Sequence, residues 1–363
     1  MINPTLTEMG TYPMVRLEEA RRRLVAEGIE VIDFGKGDPN EPTDPLIRQA
    51  VIDAVPERAP YPLAAGLPEL RSAAAGWCAR RFGVELDPDR EVIPTYGSKE
   101  AIFSLAQVLD TAGHTVVFGE PAYPVYERGA RFAGAEVRTL PLRRENGFLP
   151  DLSEIDENTA IVWVNYPHNP TGAVAPVAFY EELAELADRL DFYIASDEAY
   201  TELWFDEPPA SALQASDRSR VIVFQTLSKR SSMTGYRSGF IAAAPNVIDA
   251  LKTYRPTVGT APQEFVQRAS VVAWNDERHV EATRARYRAK RDVLIPAIEA
   301  KGWEIVASAA TMYLWVIGPD PDALLERGVI ASPGEMFGPS GAGYVRFALV
   351  PTLEECKRAA ELL

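Results

Sequence analysis

Between Pro68 and Ala244, short apolar runs alternate with longer segments of helical periodicity, and this alternation restricts what the chain can fold into. Strand-like runs occur at Glu91–Thr95, Thr115–Phe118, Glu136–Leu140, Ala160–Val164, Phe192–Ser196, Arg220–Phe224 and Gly239–Ala244. Helical spacing of apolar side chains predicts helices over Pro68–Phe82, Ser98–Leu109, Val125–Ala133 and Val177–Leu190. Ala160-Ile-Val-Trp-Val164 is almost wholly apolar, as a strand covered on both faces must be. Strands and helices taking turns in this way predict an α/β fold: a mainly parallel central sheet with helices on both faces.

The flanks read differently. Met14 to Glu27 has helical spacing and stops at Gly28, and Val31–Phe34 is strand-like and runs into the turn-rich Gly35–Pro39. A charged helix over Glu277–Ala300 is long enough to leave one unit and enter another, and residues 303–363 carry strands at Met312–Ile317 and Tyr344–Leu349. We therefore expect a large domain over 41–272 and a smaller α+β domain formed by 1–40 and 273–363. No repeat, low-complexity tract or long linker separates them.

Net charge is −15, from 52 acidic and 37 basic residues, which disfavours a nucleic-acid binder because such affinity rests on clustered Lys and Arg. Two cysteines, Cys78 and Cys356, and three scattered histidines, His114, His168 and His279, have no metal-ligand spacing and do not make a disulfide framework. The start of the chain has no basic stretch followed by an apolar one, and no apolar run approaches the ~20 residues that span a bilayer. The expectation is a cytoplasmic protein with no metal, no nucleic-acid partner and no membrane partner.

Polar residues cluster where the strands end. Asn169-Pro-Thr-Gly172 follows Ala160–Val164, Asp197-Glu-Ala-Tyr200 follows Phe192–Ser196, and Lys229 lies close after Val221–Phe224. In α/β folds ligands bind at the carboxyl ends of the strands, so three such groups predict one site. A lysine there can capture an aldehyde as a Schiff base.

With Gly97-Ser-Lys-Glu-Ala101, Pro121-Ala-Tyr123, Gly235-Tyr-Arg237 and Arg346 added in this order, the whole chain resembles a class I/II, fold-type I aminotransferase dependent on pyridoxal 5′-phosphate. The resemblance implies that Lys229 holds the cofactor aldehyde and moves the proton between Cα and C4′. It implies that Asp197 keeps the pyridine nitrogen protonated, that Tyr200 and Asn169 hydrogen-bond the ring hydroxyl oxygen, and that Tyr123 stacks on the ring. Gly97, Ser98 and Lys99 at a helix start, with Ser228 and Arg237, are the implied phosphate cradle. Arg346 is the implied clamp on the substrate α-carboxylate, with Gly37 near the same group. Tyr61 resembles the tyrosine that reaches the phosphate from the neighbouring subunit, which implies a homodimer with shared active sites.

The implied reaction moves an amino group between an amino acid and a 2-oxo acid. Ser228-Lys-Arg-Ser-Ser-Met-Thr-Gly-Tyr-Arg237 and Pro262-Gln-Glu-Phe-Val-Gln-Arg268 resemble the diaminopimelate branch of the family and favour N-succinyl-diaminopimelate with 2-oxoglutarate/glutamate. LL-diaminopimelate, aspartate and other amino acids are the alternatives, as is a C–S β-lyase reaction on the same site residues. A ligand-sensing domain of a transcription regulator fits poorly with an acidic chain. Arg255 is a candidate for a distal carboxylate, against the ordinary reading of a helix-ending arginine. His168 is read as a packing residue, Arg230 as an outward-pointing neighbour of Lys229, and Arg284, Arg286, Arg288, Lys290 and Arg291 as the solvated face of the long helix.

Overall fold

The computed structural model describes residues 2–9 and 14–363. Seven strands form the main sheet, in the spatial order Val92–Thr95, Gly239–Ala243, Val221–Thr226, Tyr193–Asp197, Thr159–Val164, Thr115–Glu120 and Glu136–Pro141. From Val221–Thr226 to Glu136–Pro141 neighbours pair in parallel. Gly239–Ala243 is antiparallel to both of its neighbours. The link from Thr226 to Gly239 holds only a four-residue helix and a 3₁₀ turn, too little for the covering crossover that a parallel return requires.

Alternation along the strands divides the interior into two cores. Val117 and Val223 face Trp77, Leu183 and Phe240, whereas Phe118 and Phe224 face Leu105, Tyr126 and Trp163. All six residues of Val221–Thr226 are buried, as in a strand covered on both faces. The sheet is thus the helix-covered, mainly parallel one that the alternation predicts.

A second, antiparallel sheet has the order Ser332–Pro333, Tyr344–Ala348, Tyr313–Ile317 and Glu304–Ala307. Its core combines Leu314 and Phe347 with Tyr287 and Leu294 from the long helix Arg278–Ala300 and with Ile32 and Phe34 from near the start of the chain. Ile32–Asp33 pairs in parallel with Val329–Ile330. The strand of Arg346 is interior and not an edge, since Arg346 is paired with Trp315 on one side and Ser332 on the other.

Lys229 lies on the helix Leu227–Arg230, where the Ser228 amide donates to the Thr226 hydroxyl. One sequence expectation needs correction here. The basic run on Arg278–Ala300 is not a uniformly solvated face. Lys290 is buried, donates to Leu349 O at 3.1 Å and pairs with Glu41 at 2.8 Å. Arg291 lies 4.0 Å over the Phe205 ring and Arg284 4.6 Å over Trp204. These side chains lay their stems on apolar surface and their charges on partners, which anchors the helix to the segment after Asp197. Helices Pro45–Ala54, Pro245–Thr257, Glu264–Asn275 and Leu353–Leu362 also belong to the fold and were not apparent from periodicity. Capping still marks two of them, through Asp44 before Pro45 and the Thr352/Glu355 capping box.

Candidate active site

The carboxyl ends of the strands Thr159–Val164, Tyr193–Asp197 and Val221–Thr226 open into a cavity of about 300 Å³. Its lining includes Gly37, Ser98, Lys99, Tyr123, Asn169, Asp197, Tyr200, Ser228, Lys229, Arg237 and Arg346, gathered from sequence positions more than three hundred residues apart. Gly97 lies directly before Ser98, against Arg237.

The Lys229 ammonium donates to Gly37 O. Burial depresses its pKa to about 8; Asp38 pulls the other way, while Arg346 and Arg237 add to the depression. A substantial fraction is therefore a neutral amine near pH 8, available as a nucleophile or base.

Asp197 ends its strand and is buried. Its Oδ2 accepts from the Tyr126 hydroxyl at 2.8 Å, and its backbone carbonyl accepts from Asn165 Nδ2 at 2.6 Å. Burial raises the carboxyl pKa to about 6, opposed by the hydrogen bonds from Tyr126 and the Ala199 amide. It remains mostly ionised at pH 7 and presents a desolvated negative charge in the cavity wall. Tyr126 stacks on Trp163 with centroids 4.8 Å apart and stands edge-on to Tyr123 at 5.8 Å, so its hydroxyl is held rigidly. Tyr126→Phe is expected to lower kcat by roughly three- to tenfold, the net worth of one ordinary hydrogen bond. It should also move the Asp197 pKa above about 6, because a hydrogen bond that lowers it is removed. The pH dependence of kcat checks both.

Helix Ser98–Val108 begins at Gly97, which has no side chain to cap the first turn. Gly97 has φ +70°, and a Cβ there would lie 2.4 Å from Arg237 Nη2, so only glycine admits the guanidinium at this turn. Arg237 Nη1 donates to Thr234 O at 2.8 Å. The Ser228 hydroxyl accepts from Thr226 Oγ1 at 2.9 Å, and Lys99 Nζ lies 5.9 Å from the Tyr123 ring centroid. Uncapped amides, a helix dipole, a hydroxyl and a fixed cation converge on one place, a setting that favours an anion.

Arg346 closes the cavity from the second sheet. It is buried, its Nη1 donates to Asn169 Oδ1 at 2.9 Å and its Nη2 to Gly35 O at 2.8 Å. The guanidinium carbon lies 4.3 Å from the Tyr313 ring and 4.6 Å from Phe337. Asn169 thereby commits its carbonyl oxygen to Arg346, leaving Nδ2 as the donor it can offer. The Tyr200 and Tyr313 hydroxyls are 2.8 Å apart, and burial pushes the Tyr200 pKa well above the ordinary phenol value. A Cβ on Gly37 would lie 2.5 Å from the Tyr313 hydroxyl, so glycine is also required where the Lys229 amine meets the backbone.

Other candidates fall elsewhere. Tyr61 is wholly exposed and is not part of this cavity on its own chain. His168 is buried beneath the site, 2.9 Å from Thr171 Oγ1, and burial depresses its pKa to about 3, which removes it from acid–base work. Arg230 points away from the cavity, but into the core rather than outward: it donates to Ala273 O and Glu277 at 2.7 Å each and lies 5.0 Å over the Trp274 ring. Adjacent helix positions are turned about 100° from one another, which directs it away from Lys229. Arg255 does not line the cavity; its helix packs behind Ser98–Val108, and it is paired with Glu100. Tyr126, Asn165, Tyr313 and Phe337 were not singled out in the sequence. Asn165 directly follows a strand and Tyr126 lies one helical turn beyond Tyr123, so both had a signal; Tyr313 and Phe337 had none.

The family model for aminotransferase class I and II matches residues 29–363. The chain belongs to the class I and II aminotransferases. Among curated relatives of this aminotransferase, an LL-diaminopimelate aminotransferase of Aquifex aeolicus is 38% identical over 98% of this chain and 96% of its own length. Among solved structures, a probable N-succinyldiaminopimelate aminotransferase from Thermus thermophilus superposes with a TM-score of 0.89 at 31% identity, covering 96% of this chain and 98% of the other. Aspartate aminotransferase from the same organism, with maleate, gives 0.92 at 30% identity, covering 100% and 98%.

The aminotransferase is an enzyme dependent on pyridoxal 5′-phosphate. The residues present fit that group: an anion cradle that a Cβ at Gly97 would fill, a buried carboxylate and a depressed lysine amine share one cavity. Neither cysteine is paired, and no group of three metal-ligating side chains occurs among the described residues. No described helix is long and apolar enough to cross a membrane.

Proposed function

We propose that this aminotransferase takes the amino group from a diaminopimelate-type donor, LL-diaminopimelate before its N-succinyl derivative, and passes it to 2-oxoglutarate. Pyridoxal phosphate, when bound, supplies an aldehyde to receive the amino group and a ring that accepts the electron pair left when the Cα proton departs. The first turn at Gly97, Ser98 and Lys99, with Ser228 and Arg237, would hold its phosphate. Asp197 would hold a proton on the ring nitrogen, Asn169 and Tyr200 would hydrogen-bond its hydroxyl oxygen, and Tyr123 would cover its face.

Arg346 binds the substrate α-carboxylate through its guanidinium, kept rigid by Asn169, Gly35 O and the two flanking rings. That places Cα on the side of the cavity where Lys229 stands. Its amine, with a pKa near 8, is placed to take the Cα proton and would deliver it to the carbon of the cofactor aldehyde, C4′. Tyr61, wholly exposed on its own chain, is proposed to reach the phosphate of a second copy, so that a homodimer completes each site.

The observation that carries the substrate assignment is an exposed carboxylate in the cavity lining, that of Asp38. An anion suits the distal ammonium of LL-diaminopimelate, whereas the succinylated compound has lost that ammonium. The relative from Aquifex aeolicus bears the LL-diaminopimelate name. The second reading, N-succinyl-diaminopimelate, is favoured by the name of the Thermus structure and by the Ser228–Arg237 stretch.

A donor panel tests this: LL-diaminopimelate, N-succinyl-LL-diaminopimelate, aspartate and cystathionine, each with 2-oxoglutarate. The expected order of kcat/KM has LL-diaminopimelate first by at least about tenfold, the worth of one well-placed ionic contact. Preference for the succinylated donor selects the second reading, and preference for aspartate removes both. Pyruvate release from cystathionine without glutamate formation would instead identify a β-lyase.

A further inference from the structure

Arg255 belongs to neither the cavity nor the surface, and its contacts point to the phosphate turn. It sits near the end of helix Pro245–Thr257 and is 1% exposed. Nη1 donates to Glu100 Oε1 at 2.9 Å, and Nε and Nη2 meet no hydrogen-bond partner among the described residues. A buried guanidinium satisfied so sparingly is a poor stability device, because its desolvation is hardly offset by one carboxylate contact. Its effect is directed onto Glu100.

Glu100 is the third residue of helix Ser98–Val108. The same Oε1 that accepts from Arg255 accepts from the Tyr96 amide at 2.9 Å. Tyr96 O in turn lies 3.5 Å from Arg237 Nη2, and Gly97 follows with its φ of +70° against that guanidinium. Arg255, Glu100, Tyr96 and Arg237 therefore form one line of contacts, from the back of the helix to the front of the cradle. There is also a matter of charge. A carboxylate in the first turn occupies the positive end of the helix and repels any further anion placed there. Arg255 neutralises that carboxylate while leaving it free to hold Tyr96.

We propose that Arg255 is a positioning residue for the cofactor phosphate: it holds Glu100 against the Tyr96–Gly97 turn and cancels its charge, so that the turn accepts a dianion. It touches neither cofactor nor substrate. The inference rests on the reading that this turn and Arg237 hold the phosphate.

The test compares two ligands on the full chain stripped of cofactor, pyridoxamine 5′-phosphate and pyridoxamine, titrated by protein fluorescence. Arg255→Met is expected to raise the Kd of the phosphorylated ligand about tenfold and to change that of pyridoxamine less than twofold. Adding Glu100→Gln to Arg255→Met should recover part of the loss, since the uncompensated charge is then gone. Arg255→Lys keeps the charge without the fork; a loss of about threefold, confined to the phosphorylated ligand, is expected of it, and it serves as the test should Arg255→Met not fold. Equal weakening of both ligands, or none, overturns the role of Arg255. Arg237→Met separates the two readings. If it weakens the phosphorylated ligand selectively and the Arg255 variants do not, only the Arg255 inference falls. If Arg237→Met shows no selectivity, the cradle reading falls and takes the inference with it.

Discussion

Lys229→Ala is expected to lower kcat on the order of 10⁴-fold with every amino donor, the upper range for removal of a positioned acid–base group. Lys229 alone combines the three properties the proton shift needs. Its Nζ lies in the cavity against Gly37 O, its pKa is brought down to about 8 by burial, and the short helix Leu227–Arg230 fixes its stem. Two nearby groups are poor substitutes. His168 is buried beneath the site with a pKa near 3, and the Tyr200 hydroxyl is held well above its ordinary pKa. The loss should appear in single-turnover measurements of the first half-reaction, with the thermal midpoint of the apoprotein unchanged or raised, since a buried charge has been removed. A loss of less than tenfold in that half-reaction would sink the assignment of Lys229 as the proton carrier.

Asp197→Asn is expected to cost 10²- to 10³-fold in kcat, the range observed when one preorganised electrostatic group is deleted from a site, taken here as an order of magnitude. Asparagine has nearly the same shape and can still accept from the Tyr126 hydroxyl, so the geometry at 2.8 Å should survive. Only the negative charge is lost. The stability of the apoprotein provides the control. The folded pKa of about 6 lies above the ordinary value of 3.8, so this carboxyl stabilises the fold at low pH and that contribution is lost as pH rises through 6. At pH 7 the asparagine variant should then be at least as stable as the parent. Unchanged kcat in a normally folded variant would show that the charge of Asp197 is not used.

Some features were legible in the sequence because they depend on local order. The helices Pro68–Phe82 and Val177–Leu190 coincide with the segments read from periodicity, since a helix face and its stop signals lie within a few neighbouring residues. Lys229, Asp197 and Asn169 were visible because each follows a strand, and a parallel sheet delivers all such ends to one edge. Gly97, Ser98, Ser228 and Arg237 could be singled out by motif, and the structure places them around one turn.

What the sequence could not supply was partnership between distant segments. Arg255 suited a distal carboxylate until the packing of its helix behind Ser98–Val108 paired it with Glu100. Arg230 was read as an outward-pointing neighbour of Lys229, yet it is buried and the surface it meets is the core at Trp274 rather than water. The basic residues of Arg278–Ala300 have the spacing of a solvated face, and only tertiary packing laid Trp204, Phe205 and Glu41 against them. Tyr313 and Phe337 flank Arg346 from chain positions that no local pattern marks. The sequence by itself determined which segments become strands and helices and which polar groups stand at the strand ends, because those properties follow from the covalent order of side chains. The tertiary structure alone decided which charges meet, which are buried and how far their pKa values move. Those depend on desolvation and on contacts between residues that only the completed fold brings together.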